Sequence, residues 1–390
     1  MIPNIDNPGN KNKIAIIAVG YNRLKATSRL LDSLNNAHYD IDDVPLVLSI
    51  DASGDQELYD YVNQFEWKHG TKYVKIQEER LGLKNHIFQC FSLTKYFRGV
   101  IILEDDIFVS PYFYHYANAT LDKYGDDKHV AGIALYTNET NGFVGLPFQP
   151  VCGGSDVFAL QSVCSWGEMM NERMWNNFKV WLEGWNEDFE SIDMIDRIKK
   201  WSRAWSKYVY AYMITTDTYF IYPYMPVTTN FNDAGGEHGG GDSSTVQVSL
   251  LQGKKNYQLG DFSQLVCYDV YCQNKSIPQW LGLKFNEVDV DYYGQRSHYS
   301  CRYVLAPFPL PYKRVQGFRQ VMRPWELNIK YNIEGNDIIL YDRETTQTSS
   351  APVRTFSYNY LMYYLRRFRS NITFKLLMHD YLIRLKNKVS

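Results

Sequence analysis

Apolar segments of strand length alternate with helix-periodic segments over the first 135 residues of the chain. The apolar segments cover residues 14–19, 44–50, 73–76, 100–103 and 130–135. The segments with apolar residues at helical spacing cover residues 22–34, 56–65, 85–96 and 111–124. Because strands and helices that alternate in this way form βαβ units, the pattern predicts an α/β fold with a mainly parallel sheet flanked by helices.

The pattern changes after residue 150. Residues 150–245 are rich in Trp and Gly, contain a strand-like segment at 218–222, and include the glycine-rich stretch 230–241. A backbone with so many glycines has no single preferred shape, so we expect this loop to be mobile and to order when a ligand binds; the alternative is a disordered linker. Residues 246–350 have short alternating segments and many turns, which predict an irregular α+β extension.

The C-terminal residues 351–390 are a third predicted segment, after domains at 1–245 and 246–350. From Leu361 to Ser390, seven Lys or Arg residues accompany a single acid, Asp380, and apolar residues lie between them at helical spacing. A basic amphipathic helix of this kind fits an anionic membrane surface. The alternative is a helix that packs on the body of the protein with its charged face in water.

Three consecutive carboxylates, Glu104, Asp105 and Asp106, follow the apolar segment 100–103. Adjacent anions repel one another, and a hard divalent cation such as Mn²⁺ or Mg²⁺ is the usual partner of carboxylate oxygens. The alternative is an acidic turn before the next helix, with Ser110-Pro111 at the helix start.

Polar residues also follow two other predicted strands. Tyr21, Asn22 and Arg23 follow the first strand, and the acidic stretch 51–55 follows the second. Ligands of mainly parallel sheets bind at the carboxyl ends of the strands. We therefore expect these residues to converge with the three carboxylates, which favours a ligand site over an acidic turn.

Composition narrows the function classes. A formal net charge of −2 gives no sign of nucleic-acid binding, and the 32 Tyr and nine Trp suit surfaces for sugar rings, although aromatic residues are equally common in cores. The six Cys are scattered without CxxC spacing and are interpreted as free thiols. The sequence has no apolar signal core and no run of about 18 apolar residues, so we expect a cytoplasmic protein that is at most peripheral to a membrane.

Seven stretches in the first 245 residues carry a resemblance to a known family. They are IAIIAVGYNR (14–23), LVLSIDASGD (46–55), RLGLKNHI (80–87), VIILEDDIFVSPYF (100–113), GIALYTNETNG (132–142), SWGEMM (165–170) and YPYMPVTTNFNDAGGEHGG (222–240). In this order they resemble the metal-dependent glycosyltransferases of the GT-A fold, in particular relatives of the animal N-acetylglucosaminyltransferase I and similar bacterial polysaccharide transferases. The resemblance implies a Rossmann-like sheet and an inverting transfer of a hexose or N-acetylhexosamine from a UDP-sugar to a glycan or lipid-linked acceptor, in bacterial surface polysaccharide synthesis.

The resemblance also implies residue roles in binding the UDP-sugar donor. Arg23 and Asp51 would hold the uridine, and Lys84 would lie near the diphosphate. Glu104 and Asp105 would contact the ribose and the donor sugar.

The metal site implied by the resemblance involves two residues. Asp106, the last of the three carboxylates, would bind Mn²⁺ or Mg²⁺ directly. His238 would lie where family members close a loop over the donor, and would touch the diphosphate or the metal.

The proton acceptor departs from the family pattern. The corresponding segment, residues 202–207, contains no acid. Glu187 and Asp188, or Glu168, are the candidate bases, and the alternative for each is a solvated helix acid.

Two rival functions follow from the same sequence. A sugar-nucleotide pyrophosphorylase would need a glycine-rich loop after the first strand, but residues 19–23 contain a single glycine. The second rival is a catalytically silent, nucleotide-sugar-binding subunit of a polysaccharide-synthesis complex, and the absence of an acid in segment 202–207 favours it.

Overall fold

The computed structural model describes residues 2, 5–202, 204–236 and 246–347, together with 363, 375, 377–379, 381 and 382. The chain divides into two compact units. The first unit consists of Met1–Asn138 and Cys152–Asn274, and the second consists of Glu139–Val151 and Lys275–Ser390.

The strands and helices follow one another along the chain with these bounds. The strands are β1 (Ile14–Gly20), β2 (Leu46–Ile50), β3 (Lys72–Ile76), β4 (Gly99–Glu104), β5 (Ile107–Val109), β6 (Val130–Ala134), β7 (Thr140–Asn141), β8 (Leu146–Pro147), β9 (Val157–Leu160), β10 (Glu168–Met170), β11 (Tyr219–Pro223), β12 (Thr228–Asn230), β13 (Cys267–Tyr268), β14 (Val288–Val290), β15 (Tyr303–Ala306), β16 (Tyr312–Phe318) and β17 (Ile338–Thr346). The helices are α1 (Leu24–Asn35), α2 (Gln56–Gln64), α3 (Leu83–Phe91), α4 (Phe113–Tyr124), α5 (Glu172–Gly184), α6 (Asp196–Lys199), α7 (Ser206–Thr216), α8 (Ile277–Trp280) and α9 (Leu327–Lys330).

One sheet organises the first unit. Its described strands lie in the order β13-β9-β11-β6-β10-β4-β1-β2-β3. Neighbours are parallel at β13–β9, β11–β6, β4–β1, β1–β2 and β2–β3, and antiparallel at the other three pairs. Helices α1 to α5 pack against its strands. The prediction of a mainly parallel sheet flanked by helices is therefore confirmed.

The core of this sheet explains its apolar strands. Every residue of β1 and β2 is buried, because a mainly parallel sheet has helices on both faces. Gly132 of β6 pairs with Phe220 of β11, and a Cβ on Gly132 would lie 2.4 Å from the Phe220 ring. A glycine in the middle of this strand therefore leaves room for a neighbouring aromatic ring.

Strand β10 is inserted between β4 and β6 and is antiparallel to both. Its three residues are too few for a recognisable alternation, so the sequence pattern did not predict it. The insertion places Glu168 beside Ile102 and Ala134, inside the sheet.

A short antiparallel ribbon, β5 with β12, was also not predicted. It pairs Ile107 with Asn230, which brings the segment after β12 next to the three carboxylates that end β4. The backbone N–H of Phe231 donates to the carbonyl of Asp106 at 2.8 Å.

The second unit contains a separate sheet in the order β14-β15-β17-β16, with Val304, Ala306 and Tyr341 buried in its core. This unit is partly β, as expected of the extension. Its boundary lies after Asn274 rather than after residue 245, because β13 pairs with β9 and joins the first sheet.

The C-terminal tail is described at seven positions only. Tyr363 is buried, its hydroxyl donates to the carbonyl of Met322, and the Arg323 guanidinium lies 4.7 Å from its ring centroid. Four later residues are exposed: Leu377, Met378, Tyr381 and Leu382. Lys375 and His379 are exposed as well, and the remaining tail residues lie outside the described part of the chain. Within that part, no helix is long and apolar enough to cross a membrane.

All six cysteines are free, which confirms the interpretation from the sequence. Burial raises the pKa of the Cys90 thiol to about 12, so this sulfur stays protonated and unreactive.

Candidate active site

One cleft of about 660 Å³ opens at the carboxyl ends of β1, β2 and β4. Five residues that the sequence singled out line it: Arg23, Asp51, Lys84, Glu104 and Asp105. The remaining lining comes from residues 19–22, 80–83, 85–86, 202 and 235–236. The polar residues that follow three separate strands therefore converge in one place, as a parallel sheet requires.

Arg23, directly before α1, is paired with two of the three carboxylates. Its Nε donates to Asp105 Oδ2 at 3.2 Å, and its Nη2 donates to the second oxygen of the same carboxylate. Nη2 also lies 3.3 Å from Asp106 Oδ2. The repulsion between these acids is therefore offset by a guanidinium, whereas the sequence had suggested a metal ion.

Asp106 has a partner on each carboxylate oxygen. Oδ2 faces Arg23, and Oδ1 accepts a hydrogen bond of 3.1 Å from the side-chain amide of Asn230, at the end of β12. The β5–β12 ribbon therefore positions Asn230 to fix this carboxylate. Asn230 was outside the set of site residues that the sequence indicated, because the pairing joins distant segments.

Burial controls the charge of both carboxyls. It raises the pKa of Asp105 to about 6, although the neighbouring Arg23 lowers it. It also raises the pKa of Asp106, again against the effect of Arg23, and the nearby Asp233 carboxylate raises both values further. Additional positive charge at this point would stabilise the ionised acids.

The segment after β12 is attached to α1. Arg29 forms an ion pair with Asp233, and its guanidinium carbon lies 3.9 Å from the centroid of the Phe231 ring. Arg23 Nη1 donates to the Asp233 carbonyl at 3.2 Å. The described part of the glycine-rich loop, residues 230–236, is thus tied to α1. The predicted metal ligand His238 lies outside the described residues.

Asp51 has a structural role that sequence reasoning missed. Its Oδ1 accepts from the backbone N–H of Ala52 at 2.9 Å and of Leu81 at 2.8 Å, and its Oδ2 accepts from Gly82 N–H at 2.9 Å. The side chain is buried and holds the loop that leads into α3 against the end of β2. Its contact with a uridine stays a prediction.

Two cations line the cleft on aromatic faces. The Lys84 Nζ lies 3.7 Å from the centroid of the Tyr208 ring, and the Arg80 guanidinium lies 4.8 Å from that of Tyr21. Aromatic faces hold cations in place without neutralising them. The cleft therefore has positive side chains available for an anionic ligand beside its carboxylates.

His86 is a lining residue that the sequence did not single out. It is buried, and its Nε2 is hydrogen-bonded to Ser49 Oγ at 2.7 Å. Burial lowers its pKa, so the imidazole is neutral at pH 7. A lone His in an amphipathic helix has no distinctive sequence signal, which is why the pattern did not reveal it.

None of the three candidate bases belongs to the cleft lining. Glu187 and Asp188 are exposed in the segment after α5. Glu168 is only 1% exposed, and its Oε2 has no hydrogen-bond partner among the described residues. Burial, and then the nearby Glu104, raise the pKa of Glu168 far above its usual value.

The donor set for a divalent ion is present in part. Carboxylate oxygens of Asp105 and Asp106 suit Mn²⁺ or Mg²⁺, and burial raises the pKa of both acids although Arg23 lowers it. Within the described ranges, no group of three or more His, Cys, Asp or Glu side chains is arranged to hold a metal. The two acids fit a cation whose other ligands come from a bound molecule.

Comparison with known proteins gives likeness to solved structures only, since no protein-family model and no curated protein matches the sequence. The mannosyltransferase PcManGT from Pyrobaculum calidifontis, in complex with GDP-Man and Mn²⁺, is 14% identical with a TM-score of 0.36, over 57% of this chain and 59% of that one. Residues 1–349 of TarS from S. aureus are 16% identical with a TM-score of 0.33, over 54% and 60% of the two chains. Their complex with UDP-GlcNAc is 16% identical with a TM-score of 0.31, over 54% and 58%.

These matches span about three fifths of each related chain. The first of these proteins is a mannosyltransferase with bound GDP-Man, and the last carries UDP-GlcNAc. At such identities and TM-scores the likeness assigns no residue role, so the function must be argued from the cleft itself.

Proposed function

We propose that this protein is a glycosyltransferase of the GT-A fold that uses a UDP-sugar. One observation carries the proposal: the cleft at the ends of β1, β2 and β4 combines the carboxylates of Glu104 and Asp105 with the cations Arg80 and Lys84, and Asp106, outside the lining, shares Arg23 with Asp105. A nucleoside diphosphate sugar has this complementarity, because its diphosphate needs cations and its ribose and sugar hydroxyls need acceptors.

The reaction breaks the bond between the anomeric carbon and the diphosphate, which leaves with growing negative charge. Lys84 and Arg80 would stabilise that charge, and water is partly excluded because the cleft is lined by the loop 80–83 and by residues 235–236. When bound, a divalent ion held by Asp106 and Asp105 would add Lewis-acid stabilisation of the same charge.

The acceptor would be a sugar hydroxyl of a glycan or a lipid-linked glycan. It attacks the anomeric carbon from the face opposite the diphosphate, so the configuration inverts, and a carboxylate takes its proton. Glu187 and Asp188 remain candidates for that base, because both are exposed and ionisable. The hexose or N-acetylhexosamine would enter a bacterial surface polysaccharide.

We place the reaction on the cytoplasmic side of the plasma membrane, with the tail on anionic lipid. The exposed Leu377, Met378, Tyr381 and Leu382 support this placement, because a basic helix with exposed apolar residues binds lipid headgroups and the upper acyl region together.

The deciding experiment measures release of the nucleoside diphosphate from a panel of UDP-, GDP- and dTDP-sugars with Mn²⁺ or Mg²⁺. We expect hydrolysis of one or more UDP-sugars. Asp106→Asn should lower this rate by about 100-fold or more, because the charge of the leaving diphosphate loses stabilisation. The matched control is Asp122→Asn, an exposed acid on α4 that pairs with Arg98. Equal turnover in the two variants would reject the role of Asp106.

The second candidate is the silent nucleotide-sugar-binding subunit. The absence of all three candidate bases from the cleft lining favours it. Tight UDP binding with no hydrolysis and no transfer would identify this function.

A further inference from the structure

Arg23 occupies the position between the two carboxylates that the proposed function assigns to a metal ion. We propose that Arg23 and a divalent cation compete for Asp105 and Asp106, so that the ion binds tightly only when a nucleoside diphosphate takes over the guanidinium. The release of Arg23 by a nucleoside diphosphate rests on the proposed function, whereas the competition for the two acids does not.

The oxygens of both carboxylates already have hydrogen-bond donors. Arg23 engages both oxygens of Asp105 and one oxygen of Asp106, and Asn230 engages the remaining one. The side chains are 15%, 6% and 14% exposed for Arg23, Asp105 and Asp106, so water does not screen the contacts well. Each carboxylate oxygen already has a donor, and an entering ion must displace one.

The guanidinium of Arg23 and a divalent ion would also repel each other. A guanidinium and a divalent ion at the same carboxylate pair would place three positive charges against two negative ones at close range. Glu104 also lines this cleft, and a further acid nearby, Asp233, is already paired with Arg29. In a poorly screened site this repulsion is large, so the two cations exclude each other.

A bound diphosphate would give Arg23 an alternative partner. The guanidinium lines the same cleft as Arg80 and Lys84, where a diphosphate is expected. Phosphate oxygens bind arginine in the same bidentate manner as carboxylates. A bound diphosphate therefore offers Arg23 an equivalent contact and releases the acids to the ion. By thermodynamic linkage, each ligand then strengthens the binding of the other by the same factor.

The loop after β12 keeps Arg23 in place. The Asp233 carbonyl accepts from Nη1, and a Cβ on Gly236 would lie 2.8 Å from the same nitrogen. Gly236 therefore leaves the space that the guanidinium fills.

The test is a titration of the full chain with Mn²⁺, in which free Mn²⁺ is followed by electron paramagnetic resonance, with and without UDP. At about pH 8 protons compete least with the metal for the acids. The wild type should bind Mn²⁺ weakly alone and about tenfold more tightly with saturating UDP. Arg23→Met, which keeps the apolar volume, should bind Mn²⁺ alone about tenfold more tightly than the wild type, with a smaller effect of UDP.

Arg98→Met is the matched control, because Arg98 lies just before β4 and pairs with the exposed Asp122, away from the two acids; its Mn²⁺ affinity should equal that of the wild type. Affinity in Arg23→Met equal to or below the wild-type value, or the same gain in Arg98→Met, would overturn the competition. Circular dichroism checks folding. If Arg23→Met does not fold, Arg23→Gln decides, since it also removes the positive charge and should tighten Mn²⁺ binding; unchanged binding would reject the proposal.

The two proposals fail separately. A protein that binds no UDP and hydrolyses no UDP-sugar contradicts the proposed function, but the comparison with Mn²⁺ alone still decides whether Arg23 competes. Metal-dependent hydrolysis together with no gain in Arg23→Met rejects only the competition.

Discussion

Glu168 and Asp105 are both buried acids of the first unit, but only Asp105 has a cationic partner. Asp105 is held by Arg23, whereas Glu168 lies inside the sheet near Glu104 with an unpartnered oxygen among the described residues. A buried acid beside a second acid is more stable as the neutral form. Its environment therefore favours the protonated form of Glu168, which is the wrong state for a proton acceptor.

Replacement of Glu168 by Gln tests whether this buried side chain is held in its protonated form. The pKa of Glu168 is raised in the folded state, so protonation of this side chain stabilises the fold. This stabilisation is complete below the usual pKa of 4.5 and is lost as pH rises toward the folded-state pKa. Wild-type stability should thus fall as pH rises above about 4.5, by up to about 1.4 kcal/mol per pH unit, relative to Glu168→Gln. Urea unfolding at several pH values measures the difference.

The control for this comparison is Glu172→Gln, an exposed acid at the start of α5 that pairs with Lys11. Its stability relative to the wild type should vary little with pH. Parallel pH profiles for Glu168→Gln and the wild type would contradict the buried, neutral acid. Retained turnover in Glu168→Gln would exclude it as the base.

Sequence reasoning reached part of this residue-scale picture. Arg23, Asp51 and the acids of β4 could be placed in one cleft, because each follows a local apolar segment and parallel strands end at one edge. The partners Asn230 and Asp233 could not be found in this way, since 124 residues separate Asp106 from Asn230 and 204 separate Arg29 from Asp233. The burial that sets the charge of Glu168 depends on the inserted strand β10, which has no pattern of its own.

At the scale of elements, the cleft depends on loops held by side chains rather than by strand pairing. The loop between β3 and α3 is held by the single carboxylate of Asp51. Long apolar strands and amphipathic helices were predictable to within a few residues, because their periodicity is repeated several times. The short β5 and β12, and the extension of the first unit to Asn274, arise from long-range pairing and were not.

Asp51→Ala should loosen this loop. The N–H groups of Leu81 and Gly82 lose their acceptor, which costs about 2 kcal/mol of unfolding free energy. Urea unfolding measures that loss, and amide hydrogen exchange should become faster at Leu81 and Gly82. Asp55→Ala is the control, since Asp55 caps α2 by accepting from Leu58 N–H and its loss costs about 1 kcal/mol. Unchanged exchange at Leu81 in Asp51→Ala would show that other contacts hold the loop.

For the whole molecule, the tail is the segment that would bind the protein to an anionic membrane surface. Tyr363 packs against Met322 and Arg323, whereas Leu377 and Leu382 are 56% and 52% exposed. Binding of the tail to a membrane stays a prediction. The packed alternative describes Tyr363, and an exposed apolar face describes the later residues.

Leu377→Glu with Leu382→Glu should weaken binding to vesicles rich in phosphatidylglycerol by about tenfold or more, because two apolar anchors are lost and two negative charges are added. Co-sedimentation measures the bound fraction. Val180→Glu, at a 70% exposed position on α5, is the control for an unrelated apolar residue. Truncation after Ser370 keeps Tyr363 and should abolish binding. Equal binding of truncated and complete chains would exclude the tail as the anchor.

The pairing of β5 with β12 has a consequence for the order in which the protein is made. Arg23 and Asp105 leave the ribosome early, so their ion pair can form while synthesis continues. The amide of Asn230, which fixes Asp106, is added 124 residues after that acid. Until Asn230 has been synthesised, the Asp106 carboxylate of the nascent chain lacks this amide donor. The set of contacts around Asp106 is therefore complete only after β12 has been synthesised.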